Sequence, residues 1–181
     1  MRILNFIIPI VLWTGCIPTA FGQAALSVKA PEIKSRIWFN AGPYKKPIMK
    51  ALLGKVVLIF FWTSNDTASE DAALFLNRWY SQYQHRGLEI IGVHTAEWTF
   101  DAAQSAVFGK IEALKIKYPV VLDEDSSIRI AYGQYLWPSF CLVDRGGYIR
   151  AQYSILSNYR DMETMLQTLL EEGRSEMMLK R

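Results

Sequence analysis

Few side chains in this chain can do thiol or imidazole chemistry. Cysteine occurs only at Cys16 and Cys141, and histidine only at His85 and His94. Two cysteines exclude a disulfide-stapled scaffold and any cysteine-cluster zinc or iron–sulfur centre. Two histidines leave little for a histidine-based metal site, so no metal and no cofactor is expected. Cys141 lies in SFCLVD (139–144), a stretch with strand character, where a buried free thiol behaves as a small hydrophobe. An odd cysteine in a secreted chain also leaves open an intermolecular disulfide or a reactive thiol. Carboxylate chemistry has one candidate in Asp66. The following Thr67-Ala68-Ser69-Glu70 has the spacing of a capping box, with Thr67 accepting from the amide of residue 70 and Glu70 reaching back. Asp66 then adds negative charge where the helix dipole favours an anion. The alternative is a carboxylate for acid–base work, but no partner acid, base or metal ligand lies nearby in sequence.

The elements that must position these residues can be read from patterning. The chain has 181 residues, 51% hydrophobic and 20% charged, enough for one domain with a packed core. Its net charge is +3, and the basic residues are dispersed, so a nucleic-acid partner is not expected. Met1-Arg2 precedes an apolar stretch over 3–21, with small residues Ala20 and Gly22 set for cleavage before Gln23. This is the pattern of a secretory signal. Two alternatives remain: an uncleaved membrane anchor, though Asn5, Pro9 and Pro18 interrupt the span, and a lipid attached at Cys16, though Trp13 stands where leucine is usual. All three place the domain outside the cytoplasm. Cleavage would remove Cys16 and leave one cysteine in an oxidising compartment. Asn65-Asp66-Thr67 fits a glycosylation sequon, but the signal resembles a bacterial one and the match is read as chance.

Beyond residue 22, a polar lead-in with Pro31, Pro43 and Pro47 reaches about residue 50, and the domain proper starts at 37. VVLIFFW (56–62) is a continuous apolar run and reads as a buried central strand. A polar turn over 63–69 leads into a helix at about 70–86, with Ala73, Leu76, Trp79, Tyr80 and Tyr83 on one face, ended by Gly87. LEIIGVH (88–94) is a second buried strand. A helix is expected from an Asp101 cap to Ile116, a short extended segment over 118–122 and a helix over 126–132 ended by Gly133. Strands at 139–144 and 148–154 flank the turn Arg145-Gly146-Gly147. An amphipathic helix over 159–172 closes the domain at 173, with a mobile tail over 174–181. Alternating strands and helices with a closing hairpin imply an α/β fold, a central mixed sheet flanked by helices on both faces.

GKVVLIFFWTS (54–64), LEIIGVHTAEW (88–98), YPVVLDED (118–125) and YLWPSFCLVDRGGYIR (135–150) resemble the thioredoxin superfamily. The likeness is to the extracytoplasmic TlpA-like and DipZ-type thiol–disulfide oxidoreductases linked to cytochrome c biogenesis. It covers about residues 37–172 and implies a thioredoxin-like fold. One departure bears on activity. The resemblance places Cys-x-x-Cys at 66–69, and this chain has Asp66-Thr67-Ala68-Ser69 there. Disulfide exchange needs an attacking thiolate and a resolving thiol, and neither Asp66 nor Ser69 supplies one. The resemblance also sets Trp137-Pro138 at the family's cis-proline, against the alternative of an ordinary proline opening a strand. It implies a peptide-binding groove formed by Thr63, Ser64, Asn65, Asp66, Thr67, Trp137 and Pro138, with His94 counted among its residues. Near that face His94 offers either a base or local hydrogen-bond support, and Trp98 and Phe100 either an apolar rim or packing.

The leading expectation is a redox-inactive thioredoxin-like protein of the bacterial periplasm. It would bind an extended polypeptide or partner protein as an accessory or assembly factor, touching the membrane only if the N-terminal segment is retained or lipidated. The alternative is a thiol–disulfide oxidoreductase working through Cys141 alone, so enzyme status is left open, leaning against.

Overall fold

The computed structural model describes residues 28–41, 49–96, 103–154 and 159–179, with side chains of the final helix described through Glu172. The signal segment with Cys16, the Asp101 cap, and Trp98 and Phe100 lie outside the described residues. In chain order the elements are β1 (Trp38–Phe39), β2 (Val56–Trp62), α1 (Thr67–Tyr83), β3 (Leu88–His94), α2 (Gln104–Ala113), β4 (Val120–Leu122), α3 (Ser127–Ala131), β5 (Ser139–Val143), β6 (Ile149–Ser154) and α4 (Tyr159–Leu179). Short 3-10 turns occupy Met49–Leu52 and Gln84–Arg86.

The six strands form one mixed sheet in the order β1-β4-β3-β2-β5-β6. β2 pairs in parallel with β3, and β3 with β4, while β2–β5, β5–β6 and β1–β4 are antiparallel. Because β2 is central, every residue of VVLIFFW is buried, which explains why it reads as an unbroken apolar run rather than an alternating one. Alternation then sorts its side chains between two cores. Val56, Leu58, Phe60 and Trp62 pack with α1, α2 and α4 on one face. Val57, Ile59 and Phe61 pack with Ile128 and Tyr132 around α3, and with Ile33, Met49 and Leu52, on the other. The domain is therefore an α/β sandwich with helices on both faces.

Four expectations shift. β1 lies in the stretch read as loop; two residues are too few to show a period, and its pairing with Val120 and Val121 of β4 is what makes it a strand. α1 starts at Thr67, three residues earlier than expected, and passes into the 3-10 turn before Gly87, whose φ of 97° needs glycine. α2 ends at Ala113, short of Ile116, and Lys115 follows at φ 52°. α4 continues to Leu179, through the segment expected as a tail. There Glu, Arg, Met and Leu surround a lone Gly173, whose cost of about 1 kcal/mol such helix formers can absorb.

Candidate functional site

The expected site residues come from three chain segments, and the sheet register brings them to one end of the molecule. Trp62, the last residue of β2, pairs with His94, the last of β3. Phe61 pairs with Ser139, the first of β5, so Trp137 and Pro138 arrive where β2 leaves the sheet. The loop over 63–66 and the start of α1 sit above this edge. It is the carboxyl end of the parallel strands, where open α/β sheets place their sites. The Trp137–Pro138 peptide bond is cis.

The turn into α1 is built by Asn65 and Asp66. Asn65 takes a left-handed φ of 59°, a conformation asparagine tolerates better than most residues. Asp66 is then extended (φ −113°, ψ 111°) and its carboxylate accepts from the Ser69 amide at 2.9 Å, while its carbonyl accepts from the Glu70 amide at 3.0 Å. Asp66 is therefore the N-cap. The expected capping box led by Thr67 does not form, because Thr67 is already the first helical residue. Glu70 does not reach back; it binds Lys110 of α2 at 2.6 Å. The Asp66 carboxylate is thus engaged by the helix amide. Ser69 is wholly buried.

Beneath the loop, Ser64 and His94 form a closed pair. The Ser64 amide donates to His94 Nε2 at 3.2 Å and the Ser64 hydroxyl lies 2.8 Å from the same nitrogen. An amide can only donate, so Nε2 is the acceptor and the proton of the neutral ring sits on Nδ1. The imidazole meets the Trp62 ring edge-on at 4.7 Å between centroids. Burial lowers the His94 pKa from 6.5 to about 4, because the charged ring cannot be solvated there. His94 has no exposed surface. It does not line the groove expected from the sequence, nor act as a base toward an outside molecule, and it supports the loop from below. Next to it Thr95 donates to Asp123 at 3.1 Å, and Asp123 caps α3 through the amides of Ile128 and Arg129, each at 3.0 Å.

The remaining expected residues divide by exposure. Asn65 and Thr67 are exposed, Asp66 and Trp137 are half-buried, and Thr63, Ser64 and Pro138 are buried. Thr63 Oγ1, Ser69 Oγ, Ser139 Oγ, His94 Nδ1 and Trp137 Nε1 are buried without a hydrogen-bond partner among the described residues. Cys141 is elsewhere. It pairs with Ile59 in mid-strand and belongs to the core on the α3 face, opposite α1. It is wholly buried, and burial pushes its thiol up to about 12, opposed by a hydrogen bond with Gln152.

Sequence reading missed Arg129. Its guanidinium carbon lies 4.9 Å over the Trp137 ring and 6.0 Å from that of Tyr135. No local pattern announces this contact, since eight residues and a turn separate Arg129 from Trp137. Among the described residues no group of three His, Cys, Asp or Glu is placed to hold a metal ion, and no helix is long and apolar enough to cross a membrane.

The profile of the AhpC/TSA family matches residues 22–152. The chain belongs to the AhpC/TSA family. It is similar to Protein DipZ of Mycobacterium bovis, 35% identical over 147 residues, which span 80% of this chain and 21% of DipZ. It is also similar to the thiol–disulfide oxidoreductase ResA of Bacillus thuringiensis, 30% identical over 60% of each chain. The chain thus matches about a fifth of DipZ and three fifths of ResA. Among solved structures, a thioredoxin-like protein in its oxidized form superposes with a TM-score of 0.72 at 22% identity, covering 81% of this chain and 97% of that one. The AhpC/TSA member described here has the thioredoxin-like fold.

Proposed function

We propose that this AhpC/TSA-family chain is a non-redox member that works outside the cytoplasm, binding an extended segment of a partner polypeptide as an accessory or assembly factor. The observation that carries the reading is the placement of the only described cysteine. Cys141 lies inside β5, on the sheet face opposite α1, with its thiol shielded and its pKa raised. Low pKa and access are what thiol–disulfide exchange requires. At the start of α1, where the resemblance expects the reactive pair, Asp66 caps the helix and Ser69 is buried. What remains accessible at the sheet end is Asn65 and Thr67, with the half-buried Asp66 and Trp137 beside them.

The name of the relative ResA favours a second reading, exchange through Cys141. Insulin reduction with dithiothreitol separates the two, using the secreted protein, a Cys16→Ser control and Cys141→Ala. We expect turnover at the blank rate for all three, and no native-state reaction of Cys141 with a chromogenic disulfide until denaturant is added. Turnover above the blank that disappears in Cys141→Ala would overturn the non-redox reading.

A further inference from the structure

Beside the candidate site, the stretch 129–137 forms one folded-back unit. The amide of Gly133 donates to the Ile130 carbonyl at 2.9 Å, and that of Gln134 to the Arg129 carbonyl at 3.0 Å. These bonds turn the chain back at the end of α3, just ahead of Tyr135 and Leu136. The unit exposes three large apolar side chains, Ile130, Tyr135 and Leu136, each more than half exposed. Apolar residues gathered in this way mark an interaction surface more often than scattered ones do. In their midst the Arg129 guanidinium makes cation–π contacts with the Trp137 and Tyr135 rings. Its hydrogen bonding is poor. Nη1 reaches the Gln134 carbonyl at 3.4 Å, and Nε is buried without a partner. Among the described residues no carboxylate lies within 4.0 Å of it, whereas Arg150 has two.

We propose that Arg129 is the anchor of this surface for a carboxylate side chain on the bound polypeptide, with Ile130, Tyr135 and Leu136 receiving its apolar neighbours. The occupant is an extended segment in which an aspartate or glutamate is flanked by apolar residues. Charge complementarity selects it: a half-buried guanidinium set beside aromatic rings, with no carboxylate of this chain within 4.0 Å among the described residues, is a fork for a planar carboxylate. Trp137 joins this surface to the sheet end, so both lie on one path. The proposal rests on the polypeptide-binding reading and adds the chemical class of the segment.

Selection from a displayed random dodecapeptide library against the secreted protein tests it, run in parallel with Arg129→Gln and Arg129→Lys. Circular dichroism melts confirm that each variant is folded. We expect selected peptides to carry an acidic residue beside apolar ones, and such peptides to bind about tenfold more tightly than their Glu→Gln versions, the change that one charge-assisted hydrogen bond supplies. Arg129→Gln should lose the acidic preference while keeping the apolar one, and Arg129→Lys should keep part of it. Enriched peptides without acidic residues, or an acidic preference that survives Arg129→Gln, would overturn the anchor and leave polypeptide binding standing. Failure to enrich any peptide would overturn both.

Discussion

His94 is the residue at which this site can be read by pH. Held neutral by burial, it keeps its pKa near 4, against 6.5 when unfolded. Below pH 6.5 the unfolded chain therefore binds a proton that the folded chain refuses, and stability must fall as pH falls. The loss is spread from pH 6.5 down to about 4 and approaches about 3 kcal/mol at most. Native carboxylates contribute mainly below pH 5, so the interval from 6.5 to 5 belongs largely to His94. We expect the urea midpoint of the wild-type protein to decline across that interval, and the decline to flatten in His94→Gln. Superimposable pH profiles for the two proteins would show that His94 titrates normally and that the Ser64 bond is not shielded.

At the scale of elements, the start of α1 decides what the site is. Asp66 satisfies the Ser69 amide, and removing such a cap costs about 1 kcal/mol. Asp66→Ala should therefore lower the melting temperature by several degrees. Thr67→Ala should change it little, because Thr67 is exposed and already inside the helix. A larger loss from Thr67→Ala would restore the capping box that the sequence suggests. Spacing alone makes Thr67-Ala68-Ser69-Glu70 an attractive cap, and nothing local reveals that Asn65 turns left-handed and moves the boundary back one residue. β2 and β3, by contrast, are legible to the residue, because the unbroken apolar run VVLIFFW and the largely apolar LEIIGVH, buried but for Glu89, need no partner to be recognised. β1 is not, since it exists only through pairing with β4 far along the chain, and the Arg129–Trp137 contact is not, since it depends on how the intervening turn folds back. The Ser64–His94 pair lies between these cases. Both residues could be placed at strand ends, and only the parallel register of β2 with β3 makes them neighbours.

Across the whole molecule, the proposed binding surface and the Arg145 contacts lie at opposite ends of the sheet. The candidate site sits where β2 ends. Where β2 begins, Arg145 in the β5–β6 turn gathers three segments, donating to the carbonyls of Gly54 at 2.6 Å, Arg86 at 3.3 Å and Leu170 at 3.3 Å. Its guanidinium packs on Gly87, where an added Cβ would stand 3.0 Å from Nη1. One side chain thus links the lead into β2, the end of the α1 layer and α4. Seven residues of strand put roughly 20 Å between the two ends. Arg145→Met keeps the length of the stem and removes the donors, so it should lower unfolding free energy by about 1.5–3 kcal/mol, the range for hydrogen bonds made by a charged group. The effect should vary little with salt, because the partners are carbonyls rather than charges. Peptide affinity of the folded variant should match the wild type. Arg129→Gln should do the reverse, changing which peptides are bound while leaving the urea midpoint nearly unmoved. If Arg145→Met altered peptide preference, or Arg129→Gln unfolded the protein, the two ends would be energetically coupled and the sheet would transmit more than it positions.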